Sequence, residues 1–149
     1  MTEVLFYHLE RQPLERVLPQ LLEKSLARGW RAVVQAGSDE RVDALDAALW
    51  TYREESFLPH GTASDGNPGL QPVLLTTGDD NPNKADVRFL VDGTQSSDVS
   101  GYQRMVYLID GRDETAVETA RAQWKEMRAQ GLEVTCWQQD EAGGWVNKA

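Results

Sequence analysis

The chain is 149 residues long and carries 24 acidic against 15 basic side chains, a formal net charge of −9. Its 40% hydrophobic and 26% charged residues describe one folded, soluble domain rather than a disordered segment. That charge repels phosphate backbones and anionic membranes, so neither direct nucleic-acid binding nor a membrane partner is expected. No apolar run approaches the ~18–20 residues that span a bilayer. The opening Met1-Thr2-Glu3-Val4-Leu5-Phe6 does not read as a signal peptide. The single cysteine, Cys136, can form neither an internal disulfide nor a zinc site. A cytoplasmic protein without metal or cofactor is the expectation.

Strand and helix patterns alternate along the chain. Val4–Leu9 is a continuous apolar and aromatic run, as in a strand covered on both faces. A helix is expected from about Pro13 to Arg28, with Leu14, Val17, Leu18, Leu21 and Leu22 as its stripe and Gly29 as its stop. Pro19 inside that span predicts a late start or a kink. Trp30–Ala36 reads as the second strand, and Ser38 or Asp39 caps a second helix through Trp50. From Thr51 to Leu70 periodicity fails, and the four residues Gly61, Gly66, Pro68 and Gly69 punctuate a long loop. Pro72–Thr76, Val87–Val91 and Met105–Ile109 are further strands, and a last helix spans about Asp113 to Gln130. Leu132–Trp137 then closes the sheet. The alternation predicts one α/β domain over 1–137 with a mostly parallel sheet flanked by helices, and 138–149 as a polar tail or an edge hairpin.

The chemistry expected of such a sheet is missing. The first strand-to-helix turn, His8-Leu9-Glu10-Arg11-Gln12-Pro13, has no glycine to bring backbone N–H groups to a phosphate, and no phosphate-binding fingerprint occurs elsewhere. Asp79, Asn81 and Asn83 mimic the first ligands of a calcium loop, but Lys84 replaces its glycine and Leu90 its glutamate. His8 and His60 are the only histidines, and neither has a second ligand at metal spacing. No catalytic carboxylate pair or nucleophile elbow stands out.

Two features rise above this background. In the last helix Arg121, Lys125 and Arg128 fall within one stripe roughly 60° wide, with Trp124 at its flank. Such cations complement a helix C-terminus. They also suit a short acidic peptide with one apolar residue, held by charge-assisted hydrogen bonds. The second feature is Trp50, Tyr52, Phe57, Leu58 and Pro59 at a helix end and in the loop after it, where aromatics either cap the core or anchor a protein interface.

The segment Arg41-Val42-Asp43-Ala44-Leu45-Asp46-Ala47-Ala48-Leu49-Trp50, followed by Glu55-Ser56-Phe57-Leu58-Pro59-His60, strongly resembles the chi subunit of bacterial DNA polymerase III holoenzyme. Phe6-Tyr7-x-Leu9 and Trp124-Lys125-x-x-Arg128-x-x-Gly131 fit the same family. The resemblance runs from the first strand to about Trp137 and implies a Rossmann-like fold without nucleotide chemistry. It further implies a non-enzymatic adapter of the clamp loader that binds the acidic, phenylalanine-ended C-terminal tail of single-stranded DNA-binding protein. It also implies pairing with the psi subunit, or alternatively with an accessory iron–sulfur helicase. Carried over residue by residue, the tail site is Arg121, Trp124, Lys125, Arg128 and Gly131. The psi or helicase site centres on Trp50 and Phe57 with Leu58 and Pro59. Met127 departs from the family's aromatic residue, and the extension beyond Gln138 has no counterpart. The rival expectation is a small α/β enzyme acting on a phosphorylated metabolite, with Arg121, Lys125 and Arg128 as phosphate ligands.

Overall fold

The computed structural model of the chain describes residues 2–51, 59–62, 65–96, 101–141 and 144–147. Eight strands form one sheet: β1 (Glu3–Leu9), β2 (Ala32–Gln35), β3 (Gly61–Thr62), β4 (Val73–Thr76), β5 (Val87–Leu90), β6 (Arg104–Asp110), β7 (Glu133–Gln139) and β8 (Trp145–Asn147). Three helices flank it among the described residues: α1 (Leu14–Ala27), α2 (Asp39–Thr51) and α3 (Glu114–Ala129). The strand order is β3-β4-β2-β5-β6-β1-β7-β8. Every pairing is parallel except β7 with β8, so the mostly parallel α/β architecture expected from the alternation is the one that forms.

Two core layers lie on the two faces of the sheet. Leu9, Val34, Leu75, Phe89, Val106 and Leu108 pack under α1 and α2. Val4, Phe6, Leu90, Met105, Tyr107 and Val134 pack under α3, which contributes Ala120 with Ala116, Val117, Trp124 and Met127 at the margin. The interior strands β2, β4 and β5 are buried at every position, which explains their apolar runs without alternation. Phe6 and Tyr107 are register partners, and their rings stack at 4.6 Å and 7°.

Local expectations are corrected in three places. The stretch Thr51–Leu70 holds the short strand β3 and a 3-10 turn at Pro68–Leu70, which two residues of periodicity cannot signal. The first helix starts at Leu14, so Pro19 does not delay it; burial of Val17, Leu18, Leu21 and Leu22 outweighs the one backbone bond that proline removes. The sheet is closed not by Leu132–Trp137 but by β8, which pairs antiparallel outside β7. Trp145 on β8 meets the Tyr7 ring edge-on at 4.7 Å.

Two parallel crossovers, β4 to β5 and β5 to β6, have no helix among their described residues. Arg88 on β5 binds both. Its side chain is fully buried, with 0% exposure. The guanidinium donates to the Asp80 carbonyl at 3.0 Å and to the Gly78 carbonyl in the first crossover, and to the Tyr102 hydroxyl at 2.9 Å in the second. Gln35 Oε1 accepts from both its Nε and an Nη. Arg88→Met keeps the volume but strands these acceptors, each at about 1–3 kcal/mol. The variant is expected to lose at least about 3 kcal/mol of stability by urea denaturation, seen as a lower midpoint at unchanged slope.

Candidate functional site

Helix α3 begins at an N-cap, Asp113, whose Oδ1 accepts from the Thr115 and Ala116 N–H groups at 3.0 and 3.3 Å. It ends in a Schellman motif: Gly131 at φ +86° donates to the Arg128 carbonyl, and Leu132 donates to that of Met127. Gly131 thus fixes where the helix stops and turns the chain into β7. The alanine and tryptophan line of α3 faces the sheet, which leaves Arg121, Lys125 and Arg128 exposed on its outer side.

The tryptophan belongs to both surfaces. Trp124 packs on the core beside Met127 and Cys136, while the Arg128 guanidinium lies 4.8 Å above its ring, a cation–π contact that restricts Arg128 to the stripe. The Trp124 indole nitrogen is buried without a formed hydrogen bond. Burial pushes the Cys136 thiol above its ordinary pKa, opposed by the charge of Arg128 and the indole N–H. The charge of Arg121 is felt by His8 on β1. Burial depresses the His8 pKa; the carboxylate of Glu10 opposes this, and the charge of Arg121 adds to it. The sequence pattern brings Arg121, Lys125 and Arg128 together, and the structure adds His8 and Cys136 beneath them, residues with no helical spacing to reveal them.

At the far end of the molecule Trp50 is 53% exposed at the end of α2, after the buried Leu49. Its ring leans on His60 at 4.6 Å and 53°, and His60 Nε2 lies 3.0 Å from Asp46 Oδ1. Asp46 and Trp50, one helical turn apart, therefore grip a buried imidazole between them, a contact that spacing within α2 could not disclose. Pro59 is half-buried beside it. Phe57 and Leu58 lie outside the described residues, as does Tyr52.

The chain leaves β1 towards α1 on one face and β6 towards α3 on the other, although β1 and β6 are neighbours. Open sheets place their ligand crevice at such a switch point, and a crevice of about 820 Å³ opens there. Its mouth is acidic. The Asp113 carboxylate already caps α3, the position a phosphate would take. A Cβ at Gly111 would lie 2.5 Å from Glu10 Cγ, so this glycine makes room for a carboxylate side chain rather than for a phosphate. The cations Arg121, Lys125 and Arg128 expected for phosphate binding sit instead along α3. Among the described residues no three metal-ligating side chains converge, and the Asn81 and Asn83 side chains bond the backbone of their own turn and of β2.

Comparison with known proteins agrees across nearly the whole chain. The family model described as "DNA polymerase III chi subunit, HolC" matches residues 1–135. A Rickettsia prowazekii protein named "Probable DNA polymerase III subunit chi" is 22% identical over 152 residues, covering 97% of this chain and 91% of its own length. The "DNA polymerase III subunit chi" of Pseudomonas aeruginosa PAO1 is 28% identical over 135 residues, covering 88% of this chain and 92% of its own.

The neighbourhood of His8 carries a pH signature. A depressed folded-state pKa means that the unfolded chain binds the proton first, so this part of stability is complete above about 6.5 and is lost as pH falls through the lower folded value. His8→Gln is expected to flatten the decline in melting temperature between neutral and mildly acidic pH. Arg121→Gln is expected to raise the His8 titration midpoint, read from its imidazole NMR resonances.

Proposed function

The chain belongs to the DNA polymerase III chi subunit family, and from that membership we propose that it acts as a non-catalytic adapter between the clamp loader and single-stranded DNA-binding protein. The family is an accessory subunit of the replicative polymerase rather than its catalytic one. The observation that carries the finer reading is the stripe Arg121, Lys125 and Arg128, exposed on one side of α3 with Arg128 stacked on Trp124. A protein of net charge −9 repels an acidic peptide at a distance, so recognition has to be local. The indole and Met127 offer apolar contact to a terminal phenylalanine, and the cations offer charge-assisted hydrogen bonds to its carboxylates. Gly131 completes this site by ending the helix beside them.

The partner within the clamp loader, psi or alternatively an iron–sulfur helicase, is assigned to the end of α2, where Trp50 presents its ring against the His60–Asp46 pair. Phe57, Leu58 and Pro59 follow it in sequence. A half-exposed tryptophan held by a buried imidazole is a rigid anchor, the kind of residue that dominates binding energy at protein interfaces.

Two experiments test these assignments. Arg128→Ala is expected to weaken binding of a fluorescent acidic peptide ending in phenylalanine by roughly 10- to 150-fold. Added salt is expected to weaken the wild-type complex more than the variant complex. Equal affinities would leave the stripe as a solvated helix end. Trp50→Ala, which removes a half-exposed ring, is expected to lower stability by no more than about 1 kcal/mol while abolishing pull-down of the psi partner. A loss of about 3–5 kcal/mol would make Trp50 a core residue instead.

A further inference from the structure

The switch-point crevice takes no part in either assignment above, and its chemistry is of the opposite sign to that of the stripe. Its interior is apolar, with Leu90 and Ile109 buried on the sheet and Ala116 and Ala120 on α3. Tyr107 lines it and is only 3% exposed, yet its hydroxyl makes no hydrogen bond to any described residue. That hydroxyl is left to whatever occupies the crevice, and a phenol can both donate and accept. Here it borders a space large enough for a ligand. Burial and the charge of Asp79 push its pKa up to about 12, so it is a neutral group that can accept one hydrogen bond and donate another.

The mouth supplies the charge. Five carboxylates, Glu10, Glu15, Asp92, Asp110 and Asp113, line the crevice against two cations, Arg41 and Arg112, and the Nε of Arg112 is committed to the Glu10 carbonyl at 3.0 Å. Asp110 Oδ1 accepts from the Arg112 N–H at 3.0 Å, and Asp113 Oδ1 caps α3, so the second oxygen of each carboxylate remains for a ligand. Arg41 is neutralised by Asp92 at 3.1 Å and Glu15 at 3.6 Å.

We propose that this crevice binds an aliphatic diamine, one ammonium at its acidic mouth, the chain along the apolar floor, and the second amine donating to the Tyr107 hydroxyl. An anion is repelled by the mouth, and a wholly apolar ligand leaves both the carboxylates and the phenol unanswered. A diamine answers all three features together.

Titration of the full, ¹⁵N-labelled chain with 1,5-diaminopentane tests the site. Saturable amide shifts are expected at Glu10, Asp110, Gly111 and Ala116. Affinity is expected to fall about tenfold in Asp110→Asn and about tenfold in Tyr107→Phe, and to be unchanged in Arg128→Ala. Tyr107→Phe is also expected to keep or raise the melting temperature, because the deleted hydroxyl bonds nothing. Asp110 is exposed, so its variant tests the site even if the tyrosine change disturbs the core. Shifts spread over the acidic surface, shifts reproduced by sodium chloride at matched ionic strength, affinity undiminished in both variants, or a capped lysine peptide binding as tightly as the diamine would each overturn the proposal.

Discussion

The structure depends on a positive charge buried in an acidic protein. Parallel strands joined side by side need a crossover, and a helix is the usual cover for the face it crosses. Between β4 and β5, and again between β5 and β6, the described chain forms turns and extended loops, whose polar backbone would be costly against a sheet unless bonded. The Arg88 guanidinium answers that need with the Gly78 and Asp80 carbonyls, the Tyr102 hydroxyl and Gln35. Arg31 and Asn83 extend the same solution, since the Arg31 guanidinium bonds the Gly69 and Asn83 carbonyls and Asn83 bonds those of Ala32 and Gln71. Asp79, 3.9 Å from the guanidinium, gives the charge a partial counterion. Five donors in a rigid fork suit this task better than an ammonium would.

One consequence is that α3 is the only helix described on its face. It seats through a narrow line, Ala116, Ala120, Trp124 and Met127, so most of its circumference faces solvent. A helix so placed can carry a binding surface along its whole length without thinning the core. Trp124 marks the boundary, since one face of the indole belongs to the core and the other lies beneath Arg128. Arginine is held in place by an aromatic face more effectively than lysine is, so the stripe combines one oriented cation with two freer ones.

Most of the fold was legible because its determinants are local. Apolar runs in β2, β4 and β5, the three- and four-residue spacing in α1, and Gly131 after α3 each announce an element through residues a few positions apart. The basic stripe was legible for the same reason. What stayed hidden depends on pairs distant in sequence. Arg88 looks like an ordinary strand position until Gln35 and Tyr102 are folded around it. Residues 138–149 read equally as a tail or an edge hairpin, and only the pairing of β8 with β7, with Trp145 against Tyr7, decides between them. His60 reads as an isolated histidine, whereas the fold delivers it to Asp46 and Trp50. The crevice was the least visible, because Glu10, Tyr107 and Asp113 come from different elements and carry no shared motif.

Charge is also arranged along α3 in a way that net charge conceals. Its N-terminal end is ringed by Asp113, Glu114, Asp110 and Glu10 at the crevice, and Arg121, Lys125 and Arg128 follow from its middle to its last turn. This order follows the helix dipole, which favours carboxylates at the start and cations at the end, so the segregation itself stabilises α3. The same order puts Arg128 fifteen residues after the Asp113 cap, roughly 22 Å at 1.5 Å per residue. At that spacing, beyond the Debye length of about 8 Å in physiological salt, the acidic end does little to repel an anionic peptide from Arg128. An acidic protein can therefore keep its long-range repulsion of phosphate backbones and still hold an acidic peptide, because the attraction is confined to one stripe of one helix.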